Sequence, residues 1–332
     1  MKSRNFQRLG VLLVFTLLNT VLFAQTAKEL ARVSVTVSNL ARSTRFYEEV
    51  LTFKKVGTYT LNANIAKQLF KVNEAVEVAT LQLGDEYIEL MEFKTRGRAI
   101  PQDSRSNDLW FQHVAIVVGD MEAAYQKLRK AKVQFVSTAP QTLPIYLTAA
   151  AGISAFYFQD PDGHNLEIIH FPAGKGNEKW QQSSGKLFLG IDHTALGISD
   201  TDLSLAFYES LLGLKVAGNS ENYGAEQEHL NQVFGAHLII TGLKAQAGFG
   251  LEFLDYLAPV GGRPYPKDSK VNDLWHWHTN LFIPDTNTTL ELLKAKGLKL
   301  LGSMMFQHPV FGAIKANFVR DPDGHAILVL SR

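Results

Sequence analysis

The sequence contains no cysteine. Disulfides, thiolate metal ligands and a cysteine nucleophile are excluded together, so any metal must be held by His, Asp or Glu. Charge of one sign is also missing: 33 Lys and Arg stand against 32 Asp and Glu, scattered along the chain, for a formal net charge of +1. No field of that kind gathers nucleic acid or an anionic membrane surface, and neither is expected as a partner. A membrane-length apolar run is absent from the N-terminus, where Leu9 to Phe23 falls short of the ~20 residues a spanning helix needs. Preceded by Lys2, Arg4 and Arg8 and ending at Ala24 before Gln25, residues 1–24 read as an export signal. The mature protein is therefore expected outside the cytoplasm, periplasmic or secreted, with no membrane attachment after cleavage. No cysteine follows the cleavage point to carry a lipid.

With 46% apolar and 20% charged residues, the 332-residue chain can bury a large core. The most informative feature is self-similarity. "GRAIPQDSRSNDLWFQHVAIVVGD" from Gly97 and "GRPYPKDSKVNDLWHWHTNLFIPD" from Gly262 share Arg98/Arg263, Pro101/Pro266, Asp103/Asp268, Ser104/Ser269 and the run Asn107–Trp110 with Asn272–Trp275. His113 and His278 then fall at the same offset. "DPDGHNLEIIHFP" from Asp160 and "DPDGHAILVLSR" from Asp321 form a second pair, and "VSVTVSNLARSTRFYEEVLTFKKVG" from Val33 resembles "TALGISDTDLSLAFYESLLGLKVAG" from Thr194. The halves, 28–172 and 188–332, are duplicates joined by a polar, Gly/Ser-containing linker at 173–187. Each half repeats one plan twice, a short strand, an Asn- or Asp-capped helix and further strands, giving units near 30–95, 108–172, 188–257 and 273–332.

The repeated strand, the capped helix with "FYE", and "DPDGH" followed by "LEI" resemble the vicinal oxygen chelate superfamily, which includes glyoxalase I, bleomycin resistance proteins, extradiol dioxygenases and certain epimerases. The likeness implies an α+β fold of four βαβββ modules pairing into two incomplete β-barrels. It also implies two metal-ligand positions per module, one in the first strand and one in the last. Carried over residue by residue, the first unit offers Arg32 and Glu89, the second His113 and Glu167, the third His193 and Glu252, the fourth His278 and Leu328. Arg has no lone pair to give and Leu no donor atom. If units one and two close one barrel and three and four the other, each site has three of four ligands. If two pairs with three and one with four, His113, Glu167, His193 and Glu252 form a complete metal set and the other four a derelict one. His276 is left out of both, since Trp275 and Trp277 beside it suggest packing. Asp160, Asp162, His164 and His325 in the "DPDGH" turns, and Arg98/Arg263 with "NDLW", read as structural.

The expected cofactor is one divalent cation, Zn, Fe, Mn, Ni or Co, which two imidazoles and two carboxylates suit about equally. Resemblance to bacterial glyoxalase I makes Glu167 the first candidate for a catalytic base and Glu252 the second. The expected partner is a small-molecule substrate chelating the cation through neighbouring oxygens in lyase or isomerase chemistry, and the protein is expected as a monomer or homodimer. Two alternatives remain: an extradiol-type ring-cleaving dioxygenase, and a non-catalytic binder of small molecules.

Overall fold

The computed structural model describes residues 26–182, 185–260, 262–298 and 300–332, so the export segment read at 1–24 lies outside the described residues. Four units of the expected plan follow one another. Their opening strands are Glu29–Val37, Gln112–Val118, Phe188–Ile198 and Trp277–Phe282, and their closing strands Glu86–Phe93, Asn165–His170, Gly250–Ala258 and Ala326–Ser331. After each opening strand comes a helix: Leu40–Glu49, Met121–Ala131, Thr201–Tyr208 or Thr286–Ala295. Asn39, Asp120, Asp200 and Asp285 cap them, each side chain accepting from a backbone N–H of the first turn that has no partner within the helix. Units one and three carry an additional helix, Ala63–Phe70 and Ala225–Asn231, ahead of their third strand.

Among the described residues the strands form two nine-stranded sheets. In one, the opening strand of unit one lies antiparallel to that of unit four, with Ser34 opposite His278; in the other, unit three lies against unit two, with Ala195 opposite His113. Unit two thus pairs with three and unit one with four, and each half of the sequence contributes to both sheets. Side chains alternate across each sheet. The outward set, including Val33, Val35, Val114, Ile116, Leu166 and Ile168, packs with the helices into one shared core. The inward set lines the barrels.

The repeated polar motifs hold this arrangement. Arg98 donates from its backbone N (2.8 Å) and its guanidinium (Nη2 to Oδ2, 2.8 Å) to Asp273 and lies over the Trp275 ring at 4.7 Å. Arg263 does the same to Asp108 (3.0 and 2.8 Å) and Trp110 (4.7 Å). Each arginine is received by the aspartate and tryptophan of the opposite half. In the "DPDGH" turns, Gly163 and Gly324 adopt positive φ, His164 and His325 pair with Asp160 and Asp321 (Nδ1 to Oδ2, 2.8 Å in both), and Asp162 and Asp323 accept from Ser38 and Ser199 of the preceding unit.

The arginine sockets are testable. The Asp108 side chain is 2% exposed and that of Asp103, the second acceptor for Arg263, is 79% exposed. Asp108→Asn weakens hydrogen bonds to a charged donor at a buried acceptor and is expected to cost about 1–3 kcal/mol, whereas Asp103→Asn should stay within about 0.5 kcal/mol. Urea unfolding of the two variants provides the measurement; equal effects would remove the sockets from the forces joining the halves.

Candidate metal centre

Within every unit the opening and closing strands run parallel in one register. Arg32 lies beside Tyr87, His113 beside Asn165, His193 beside Gly250 and His278 beside Ala326. Two residues further along the closing strand, on the same face, stand Glu89, Glu167, Glu252 and Leu328. The four pairs are therefore equivalent positions. Because units two and three share a sheet, His113, Glu167, His193 and Glu252 converge inside one barrel.

Glu167 Oε2 lies 3.0 Å from His113 Nε2 and 3.5 Å from His193 Nε2, and the two Nε2 atoms are 3.4 Å apart. His113, Glu167 and His193, all buried, form a group whose donor atoms could share one ion. Glu252 joins at its edge, with Oε2 3.3 Å from His193 Nε2. Donor atoms about 2.0–2.1 Å from a common cation at tetrahedral angles stand about 3.4 Å apart, so the spacing fits a divalent ion with little rearrangement. Uncharged nitrogen and anionic oxygen donors suit a borderline metal.

Burial disfavours charge on Glu167, yet hydrogen bonds from His113 and His193 outweigh it and hold the carboxyl at about 2. Burial pushes His113 below the usual imidazole range. For His193 burial acts the same way, but Glu252, Asp192 and Glu167 overcome it and raise the ring well above that range. Burial raises Glu252, with His193 opposing only in part. The Glu252 side chain is 28% exposed and that of Glu167 is 5%; Glu252 lines a cavity that is partly open to solvent. That cavity, about 320 Å³, is bounded by Trp180, Asp192, His193, Lys244, Phe249 and Glu252.

Two residues of this neighbourhood escaped the sequence reading. Asp192 Oδ2 lies 3.1 Å from His193 Nδ1, fixing which nitrogen faces the cluster, and the Trp180 indole N–H donates to Asp192 Oδ1 at 2.6 Å. Trp180 belongs to the short 3₁₀ turn Glu178–Gln181, inside the segment read as a linker, and packs near Ala115, Val117 and Ile169 at one end of the barrel. Adjacency of Asp192 to His193 was the available signal for the first; a lone tryptophan in a polar stretch was the signal for the second. Among the described residues His113 has no such partner on Nδ1, and its ring lies near the Phe111 and Tyr157 rings, at 5.7 and 4.9 Å.

The sister barrel neutralises its buried carboxylate differently. Arg32 Nη1 donates to Glu89 Oε1 at 2.6 Å, and Ser34 and Tyr59 hydroxyls donate to the same carboxylate at 3.0 Å each. Burial of Glu89 is overcome chiefly by Arg32, which keeps the carboxyl below its ordinary range. Leu328 packs in an apolar cluster with Phe70, Met91 and Phe318. His278, pushed down to about 4 by burial, sits 3.2 Å from His276, and both rings lie near Phe318.

The sequence pattern of the Glyoxalase/Bleomycin resistance protein/Dioxygenase superfamily matches residues 29–168 and again 190–329. The chain belongs to that superfamily. Glyoxalase I from Zea mays has a similar fold, with a TM-score of 0.60 at 17% identity over 92% of each chain. A 2-epi-5-epi-valiolone epimerase from an Actinomyces species is 32% identical over 168 residues, 47% of this chain and 85% of the epimerase. An uncharacterised Bacillus subtilis protein is 25% identical over 144 residues, 43% of this chain and 98% of its own. Members of the superfamily are commonly enzymes acting on small molecules with a bound divalent metal, and the His–Glu–His cluster is this chain's candidate for that site.

Elemental analysis of protein purified without chelator should find about one divalent ion per chain, lost in His113→Ala and Glu167→Ala and retained in His278→Ala; two ions, or loss in the last variant, would place metal elsewhere. The raised His193 also sets a pH dependence. Below its pKa the metal-free ring carries a proton that the cation must displace, so apparent affinity should fall about tenfold per pH unit on the acid side and level off above it. Calorimetric titration in buffers of different ionisation enthalpy would report the proton released; no release at neutral pH would contradict the assignment.

Proposed function

We propose that His113, Glu167, His193 and Glu252 hold one divalent cation and that the protein catalyses proton transfer at the carbon beside a carbonyl, as an isomerase, epimerase or glyoxalase-I-type lyase. The supporting observation is that both incomplete ligand pairs fall in one barrel and both complete pairs in the other. The cation supplies Lewis-acid stabilisation of negative charge on oxygens of a small substrate that presents two of them side by side. The chain supplies the rest. His193 is oriented by Asp192 and Trp180, Glu167 is pinned between two imidazoles, and Phe111 and Tyr157 of an adjoining apolar cluster lie against the His113 ring.

We rank Glu252 ahead of Glu167 as the base, the reverse of the order expected from the sequence. A general base must reach the carbon acid and then carry its proton. Glu167 is enclosed and doubly hydrogen-bonded, whereas Glu252 borders the 320 Å³ cavity and touches the cluster only through His193. Glu252 is therefore the better candidate to take a proton from the substrate carbon and return it to the neighbouring carbon or to the opposite face. Burial raises its carboxyl above the usual carboxylate range, the direction that favours a group taking up a proton. The N-terminal segment 1–24 supports an exported enzyme, whose substrate would be encountered outside the cytoplasm.

Solvent-deuterium incorporation, followed by NMR across α-hydroxyketones and hemithioacetals of 2-oxoaldehydes, tests this reading. Metal-loaded wild type should exchange the proton beside the carbonyl, and Glu252→Gln should lose about 10²–10⁴-fold in that rate while keeping a measurable share of its metal. Oxygen uptake with catechols in place of exchange would point to ring cleavage. Ligand protection by metal-free protein, with no exchange, would indicate a binder.

A further inference from the structure

The duplicated barrel is an internal control for the residues around the metal centre. Glu252 and Glu89 hold equivalent places on their closing strands, so Tyr256 corresponds to Phe93. Tyr157 stands opposite Glu167 as Phe318 stands opposite Leu328. Gly218 opposite Gly242 matches Gly57 opposite Thr80, which places Asn222 with Leu61. The helices Ala225–Asn231 and Ala63–Phe70 both end on a left-handed residue, Gln232 and Lys71, which matches Asn231 with Phe70 and Gln227 with Ala66. In the barrel that lost its ligands, Leu61, Ala66, Phe70, Phe93 and Phe318 all belong to one apolar cluster. In the barrel that keeps them, all five positions are polar.

Four of the five form a directed chain. Asn222 Nδ2 donates to Gln227 Oε1 (3.0 Å), Gln227 Nε2 to Asn231 Oδ1 (2.7 Å) and Asn231 Nδ2 to the Tyr256 hydroxyl oxygen (2.5 Å). The three amides are buried, and a buried amide hydrogen bond returns less stability than an apolar side chain packed in the same place, as the sister barrel packs it. Stability alone does not account for the chain. Each end keeps hydrogen-bonding capacity that no described residue uses. The Tyr256 oxygen already accepts from Asn231, so its own proton is free to be donated, and this ring is half-buried beside Tyr157, Leu230 and Leu254. At the other end Asn222 Oδ1 is buried with no partner among the described residues. Tyr157 connects the strip to the cluster by lying against the His113 ring. Asn222, Gln227, Asn231, Tyr256 and Tyr157 include no acid, no amine and no guanidinium to neutralise a charged ligand group.

We propose that this end of the barrel is a recognition subsite for neutral hydroxyl groups, making the substrate a small polyhydroxylated carbonyl compound whose vicinal oxygens meet the His–Glu cluster while its further hydroxyls engage Tyr256 and Asn222. This rests on the metal-centred reading above and supplies its substrate class. Two ketones separate the parts: erythrulose, and 1-hydroxybutan-2-one, which has the same hydroxyketone pair without the further hydroxyls. Titrated into the cobalt(II)-loaded full mature chain and followed by the visible spectrum of the ion, erythrulose should bind about tenfold more tightly, equivalent to about 1.4 kcal/mol. Tyr256→Phe and Asn222→Leu introduce the residue types that the sister barrel accommodates. Each should bring erythrulose to the level of 1-hydroxybutan-2-one while metal content and affinity for the second ketone stay unchanged and the unfolding midpoint does not fall. Equal weakening of both ketones would make the strip structural and overturn the subsite. Full metal loading without preference between the ketones would overturn this inference alone; failure to load cobalt would overturn the metal reading and this inference together.

Discussion

Parallel pairing of the opening and closing strands within each unit, in a register reproduced four times, puts two side chains per unit on the same inner face. Antiparallel pairing of opening strands then brings two units together, so four such positions meet in each barrel. Backbone hydrogen bonding alone fixes these positions. Chemistry is decided afterwards by what occupies them, and one framework has accepted two solutions.

In the barrel of units two and three, four donors face one another, and the carboxylate of Glu167 is tolerable in the interior because imidazoles surround it. In the barrel of units one and four, Arg32 brings a permanent positive charge to Glu89 and the fourth position closes over with Leu328. An isolated buried carboxylate would cost several kcal/mol, so retention of Glu89 depends on the arginine beside it. The difference between Glu167 and Leu328 in otherwise repeated strands thus reflects the company each keeps across the sheet.

Repetition made most of the fold legible. "FYE", "NDLW" and "DPDGH" mark the same three places in each half, and the spacing from His113 to Asp120 and from His193 to Asp200 places each histidine in a strand that leads to a helix cap. Which units share a barrel was not legible, because local periodicity is identical under either pairing; the arginine sockets, with Arg98 reaching Asp273 and Arg263 reaching Asp108, are long-range contacts that no spacing reveals. Asp192 and Trp180 were missed for a related reason. Their role depends on a connecting segment folding back against the strand that follows it, and polar composition by itself suggests a tether. The amide strip becomes visible only when helix ends and strand registers of both barrels can be matched.

Sheet composition also has a consequence for how the chain is made. The barrel holding the His–Glu cluster draws its strands from Gln112 to Ala258, whereas the other sheet joins Glu29–Val37 to strands that run to Ser331. During synthesis the barrel holding the His–Glu cluster can close while the first unit still waits, with one strand edge unsatisfied, for a partner at the far end of the polypeptide. Such distant pairing is entropically slow, so the barrel without the complete ligand set governs when the whole protein is finished.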